Sequence, residues 1–233
     1  MEKIKLTNIH EKKIYSQFGE DGILETIFNK IGTTNKRFIE IGIEDGKECN
    51  TRHLVKKGWA GRMIEGNKKE SKLARNLYQQ YPVGIINTFV TQLNINNYIK
   101  EELDLLSIDI DGSDYWIWSK IEVKPRVVVI EYNSTFGSKP ITIPYSDKPR
   151  KEKHPDWLYH GAGLKALIIL GDSKGYSLVY ANGTNAFFVR KDIKKIKRLS
   201  FKKAYKENLG RRRWGNPNQQ FELIKDRRFV YVP

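Results

Sequence analysis

Cysteine is nearly missing from these 233 residues: Cys49 stands alone. No internal disulfide can form, and a reducing compartment is the expected setting. No apolar run approaches the ~20 residues that a membrane-spanning helix needs. The amino terminus, MEKIKLTNIHEKK, has none of the apolar stretch that directs secretion, so a cytoplasmic location is expected. Internal repeats and low-complexity segments are missing too, which excludes solenoids and disordered linkers. Acidic residues are short against basic ones, 27 to 42, a net charge of +15. The shortfall is local, because residues 151–233 hold 19 basic and 7 acidic side chains. Such an excess suits a phosphate-bearing partner or a merely solubilising surface.

What is present is a globular composition, 39% hydrophobic and 12% aromatic, in a length that fits one domain. Short apolar bursts alternate with helical patterns. Phe38–Ile41, Arg62–Glu65, Val83–Val90, Leu103–Ile110 and Arg126–Glu131 read as five strands. Helical patterns over Gly46–Lys57 and Lys68–Tyr81 separate the first three. That alternation implies crossover connections and a parallel sheet with helices on both faces. A helix expected at Leu164–Lys174 leads into Tyr176–Tyr180. Asn182-Gly183 then precedes Ala186–Arg190, a turn signal for a closing antiparallel hairpin. The expected fold is α/β: a Rossmann-like, seven-stranded, methyltransferase-type sheet, mostly parallel with an antiparallel last strand.

In such sheets a ligand sits beyond the carboxyl ends of the strands. The loop after the first strand reads Glu40-Ile41-Gly42-Ile43-Glu44-Asp45-Gly46. Gly42 and Gly46 allow a sharp turn and a close approach of backbone to ligand. The pattern is not the GxGxxG of dinucleotide enzymes. Glu44 and Asp45 stand where a pyrophosphate would rest and would repel it. They suit a ligand without phosphate that carries a sulfonium and an ammonium, as S-adenosylmethionine does. Glu65, 23 residues beyond Gly42, stands at the distance at which an acidic side chain takes ribose hydroxyls. Glu40 and Glu65 read equally as ordinary strand-end carboxylates.

Taken together, Ser16-Gln17-Phe18-Gly19-Glu20-Asp21-Gly22-Ile23, the Glu40–Asn50 segment, Ile108–Tyr115, Val129–Asn133, Gly163–Leu167 and Asn185–Arg190 resemble the FkbM-type, class I S-adenosylmethionine-dependent methyltransferases. The resemblance spans about residues 14–190 and leaves residues 191–233 uncovered. It implies a methyltransferase domain over 1–190, with an N-terminal helical segment (1–35) packed on it and a basic C-terminal extension (191–233). It also implies methylation of a hydroxyl on a sugar, glycan precursor or other small molecule. The cofactor residues expected are Gln17, Asp21, Glu40, Gly42, Gly46, Glu65 and Asp109. Of these, Gln17 and Asp21 would close over the amino-acid end, although a cap and amphipathic helix explain them as well.

Asp109, Asp111 and Asp114 follow the apolar run Leu103–Ile108 of the fourth strand, and Glu131 and Asn133 end the fifth. Carboxylates gathered at one cleft need a cation, a proton or a donor to compensate them. Three readings stand open. Mg²⁺ is held by Asp109, Asp111, Glu131 and Asn133, an arrangement drawn from small-molecule O-methyltransferases that this chain resembles. Alternatively, Asp109 or Asp111 acts as general base without metal. In the third, Asp111-Gly112 is a turn and Asp114 caps the following helix. His160, just before Gly161-Ala162-Gly163, is a further candidate base.

From Arg190 to Arg213 twelve cations face only Asp192 and Glu207, with Phe201 interleaved and Trp214 following. Cations with aromatics suit single-stranded RNA, which makes an RNA methyltransferase the second functional reading. A phosphate-bearing acceptor or a solvated helix with Ile193, Ile196 and Phe201 as its apolar stripe fits equally. A third reading is a non-catalytic nucleotide- or anion-binding module, which the carboxylates oppose.

Overall fold

The computed structural model describes residues 9–146, 157–193 and 196–233. Seven strands form one sheet: Arg37–Ile41 (β1), Ala60–Glu65 (β2), Val83–Asn87 (β3), Leu105–Ile108 (β4), Val127–Glu131 (β5), Tyr176–Ala181 (β7) and Asn185–Arg190 (β8). Two short strands, Ile141–Thr142 (β6) and Val230–Tyr231 (β9), pair separately. The sheet order is β3-β2-β1-β4-β5-β8-β7, and β8 alone runs against its neighbours. With β6 set aside, this is the strand order of a Rossmann-like methyltransferase sheet, as expected from the sequence. The hairpin is present, with Asn182 and Gly183 in its turn.

Alternation along each strand sends successive side chains to opposite faces. Phe38, Met63, Leu105, Val127 and Val129 meet helices Glu20–Ile31 (α1), Arg52–Lys56 (α2) and Lys68–Tyr78 (α3). Ile39, Ile64, Leu106, Val128 and Ile130 meet Ile95–Tyr98 (α4), Asp114–Lys120 (α5) and Leu164–Ser173 (α6). Burial on both faces explains why β5 reads as an unbroken Val/Ile run. Trp118 anchors the second face, its ring 4.9 Å from Phe188 and 5.8 Å from Tyr176. No helix among the described residues is long and apolar enough to cross a membrane.

Three local expectations change. The helix expected from Gly46 shortens to Arg52–Lys56. Glu40 takes the backbone N–H groups of Asn50 and Thr51, and the Tyr78 hydroxyl donates to the Gly46 carbonyl, so this stretch is held as a loop. Asp114 is not the cap of α5, because Ser113 holds that position. Its carboxylate turns back to accept from Ile110 N and Gly112 N. The basic stripe forms only one helical turn, Phe201–Ala204 (α7). Before it, Leu199 N donates to the Leu178 carbonyl and Ile196 buries beneath the sheet, which draws the chain out along β7. Lys194 and Lys195 lie outside the described residues.

Residues 196–233 pack back onto the rest of the chain. Helix Pro217–Glu222 (α8) starts with a capping box between Asn216 and Gln219 and a proline at its first turn. Its buried Gln220 accepts from the Thr135 hydroxyl and donates to the Arg211 and Gly215 carbonyls. Phe136, Ile141, Ile143, Leu158 and Ile224 close a small core beneath it.

Candidate active site

Beside β1 the chain order reverses, with β2 on one side and β4 on the other, which makes this the crevice of the sheet. The two strand ends touch there. Asp109 N donates to the Ile41 carbonyl at 3.0 Å and Gly42 N to that of Ile64 at 2.9 Å. Gly42 has φ 79°, and a Cβ on it would lie 1.6 Å from the Asp109 carbonyl oxygen. Only glycine permits that approach.

Glu65 ends β2 with both carboxylate oxygens engaged by loops. Oε2 accepts from Glu44 N at 2.9 Å and Oε1 from Asn67 N at 2.7 Å. Glu44 itself adopts φ 49°. Burial raises its carboxyl above the usual range, and the charges of Glu65 and Asp45 add to the shift. The first loop is therefore a region of negative potential. Phe89 lies beside it, 74% exposed, with its ring over Gly66, where a Cβ would come within 2.3 Å. The strand expected over Val83–Val90 includes Phe89, whereas β3 ends at Asn87 and leaves Phe89 in the loop.

The remaining expected cofactor residues are placed as follows. Glu40 is buried, and besides the two backbone groups it accepts from the Thr51 and Ser107 hydroxyls. Burial outweighs these bonds and raises its carboxyl. Gly46 lies against the Tyr78 ring. Asp21 is buried at the start of α1, and its Oδ2 gathers Ile14 N, Tyr15 N, Ser16 N and the Ser16 hydroxyl. Its Oδ1 is buried with no hydrogen-bond partner among the described residues. Gln17 is exposed on this same loop. Glu20, which sequence reasoning passed over, ties the loop to the hairpin by accepting from Asn182 Nδ2 and Asn185 Nδ2. Paired acids directly after Gly19, which is left-handed at φ 87°, were the available signal.

Beyond β4 and β5, carboxylate oxygens of Asp109, Asp111 and Glu131 lie within 4.8 Å of one another. Asp111 stands at φ 57° in a loop that Asp114 shapes from within. Burial, and then the charge of Glu131, pushes the Asp114 carboxyl up to about 7. Asn133 faces inward: its Nδ2 donates to the Leu158 and His160 carbonyls, and its Oδ1 accepts from Thr135 N and Arg211 Nη1. His160 is fully buried, with Nδ1 3.5 Å from Glu131 Oε2 and Nε2 2.7 Å from Arg211 Nη2. Arg211 Nη2 is 3.9 Å from Glu131 Oε1.

The cations of the extension thus divide. Arg211 turns into the carboxylates, while Arg212 remains 65% exposed and Arg213 stacks on the Trp214 ring at 3.8 Å. A shallow cleft lined by Arg37, Arg62, Lys100 and Glu101 lies at the opposite edge of the sheet, where the strands begin, away from these groups.

No protein-family model matches the chain, and no curated relative matches it in sequence. Among solved structures it is similar to an S-adenosylmethionine-dependent methyltransferase from Clostridium acetobutylicum. The TM-score is 0.49 and the identity 10%, over 73% of this chain and 90% of that one. It is also similar to an O-methyltransferase from Bacillus cereus in complex with SAH, at TM-score 0.45 and 17% identity, over 72% and 79% of the two chains. A third similarity is to the mitomycin 7-O-methyltransferase MmcR, at TM-score 0.43 and 14% identity. It covers 74% of this chain and 56% of that one.

Proposed function

We propose that the protein is an S-adenosylmethionine-dependent methyltransferase that acts on a hydroxyl of a small molecule, sugars and glycan precursors included. The observation that carries this reading is the contact of Gly42 with Asp109 at the reversal of strand order, in a crevice bordered by Glu44, Glu65, Asp109 and Asp111. Negative potential there favours a ligand with a sulfonium and an ammonium over a pyrophosphate. Phe89 offers an apolar face to a purine, and each Glu65 oxygen keeps a lone pair for a ribose hydroxyl. Asp21 Oδ1, which has no hydrogen-bond partner among the described residues, fits an ammonium donor.

When bound, such a cofactor supplies a methyl group on positively charged sulfur. The chain's own work is to bring a hydroxyl into line with it and to take its proton. Asp109 and Asp111, half-buried at the end of β4, fit that task through a carboxylate oxygen. A second reading is favoured by the mutual distance of the Asp109, Asp111 and Glu131 oxygens. Three carboxylates suit a hard divalent ion such as Mg²⁺, which would lower the hydroxyl's pKa. Asn133 Oδ1 would join them only by releasing Arg211 Nη1.

Calorimetry with S-adenosylhomocysteine, the demethylated product, tests the first reading: saturable binding is expected, and none would overturn it. Titration with Mg²⁺ of the wild type and of Asp111→Asn tests the second. Binding by the wild type that weakens at least about tenfold in the variant supports the ion. An absence of binding by the wild type removes it.

A further inference from the structure

Arginine donates hydrogen bonds and never accepts them. His160 Nε2, 2.7 Å from Arg211 Nη2, must therefore be the acceptor in that pair. A neutral imidazole carries one donor and one acceptor nitrogen, so the ring proton belongs on Nδ1. Nδ1 lies 3.5 Å from Glu131 Oε2, too far for a well-formed hydrogen bond but within reach of charge–dipole attraction. The arginine's second arm reaches Asn133 Oδ1 at 2.6 Å, so one planar fork spans two side chains at the end of β5.

The backbone that delivers this fork is clamped on several sides. Asn208 N donates to the Ser134 hydroxyl, and Asn208 Nδ2 to the Thr184 hydroxyl. The Tyr132 hydroxyl donates to the Lys206 carbonyl and that of Tyr205 to the Ser134 carbonyl. Arg211 N donates to the Asn208 carbonyl, while Gln220 holds the Arg211 carbonyl from below. Only 12% of the Arg211 side chain is exposed. Its neighbours Arg212 and Arg213 face solvent with nothing comparable around them.

We propose that Arg211 is a positioning residue: it fixes the ring proton of His160 on Nδ1 and so aims Glu131 toward the Asp109–Asp111 loop. The C-terminal extension thereby completes the site. His160 orients Glu131 in this arrangement and takes no proton from an acceptor, since its basic nitrogen is occupied by the guanidinium. The part that Glu131 plays in methyl transfer rests on the function proposed above; the placement of the ring proton does not.

The test is nitrogen NMR of the histidine side chains in the full-length, ligand-free protein at one neutral pH. His160→Asn identifies the resonances among the four histidines. The wild type is expected to carry its His160 proton on Nδ1 with Nε2 bare. Arg211→Met, which keeps much of the side-chain length and removes every donor, is expected to lose that single fixed tautomer, as is Arg211→Ala. A wild-type His160 protonated on Nε2, or on both nitrogens, overturns the proposal without any variant. An unaltered Nδ1–H pattern in Arg211→Met overturns it as well. Calorimetry with S-adenosylhomocysteine on the same samples separates the two ideas. No binding by the wild type strikes the methyltransferase reading, whereas a tautomer insensitive to Arg211 strikes only this one.

Discussion

Replacing Gly42 by alanine probes the contact on which the crevice depends. The new Cβ would sit 1.6 Å from the Asp109 carbonyl oxygen, while real Cβ contacts stop near 3.0 Å, so the ends of β1 and β4 must part by about 1.4 Å. Alanine at φ 79° also incurs the left-handed penalty of roughly 1–2 kcal/mol. Overpacking adds about 1–3 kcal/mol, for a total of roughly 2–5 kcal/mol. Gly58→Ala is the internal control, because Gly58 has φ 81° and nothing within 4 Å of an added Cβ. It should lose only the conformational part. At about 2–4 °C per kcal/mol for a chain of this size, Gly58→Ala should melt roughly 2–8 °C below wild type and Gly42→Ala roughly 4–20 °C below. Parting the ends of β1 and β4 distorts the crevice itself, so Gly42→Ala should also lose S-adenosylhomocysteine affinity while Gly58→Ala keeps it. Thermal unfolding by circular dichroism and calorimetry on the folded protein read both effects. Equal melting temperatures for the two variants, with equal affinities, would refute the reasoning.

Glu65→Ala should weaken S-adenosylhomocysteine binding about 10- to 100-fold. That is about the factor for losing one charge-assisted hydrogen bond of roughly 1.5–3 kcal/mol, and unchanged affinity by calorimetry removes Glu65 from the ribose role. Burial raises the Glu40 carboxyl above its usual range, so folding shifts it toward the neutral form relative to the unfolded chain. Its contribution to stability is then fullest below the unfolded carboxyl's pKa and is lost as pH rises through the folded one. Glu40→Gln, permanently neutral, should gain on the wild type as melts are taken from about pH 4 to about pH 8. Parallel stability curves would sink that expectation.

The sheet was legible because its signals are local. The Leu/Ile-rich run of β4, the Val/Ile run of β5, the polar helix before β3 and the Asn-Gly turn each specify their element within a few residues. The acids at the strand ends were legible for the same reason, since parallel strands bring their carboxyl ends to one edge whatever the loops do. The C-terminal extension was not. Its strand β9 has two residues and pairs with β6 some ninety positions earlier, so no periodicity announces it. Arg211 looks like Arg212 and Arg213 in sequence, and only the clamp from Ser134, Thr184 and Gln220 turns it inward. Tertiary hydrogen bonds likewise decided the loop before α2: Glu40, read as a ligand contact, spends its oxygens on Asn50 and Thr51.

Because β8 enters the sheet from the end at which β1 through β5 leave it, the turn before it opens onto the same rim as the crossover loops. Asn185 pairs with Glu131 across that rim, and Thr184 and Asn182 reach the C-terminal and N-terminal segments, respectively. Three separate stretches of chain therefore meet at one short turn. Sequence drift in those few residues can reshape this rim while the buried strands beneath keep their spacing.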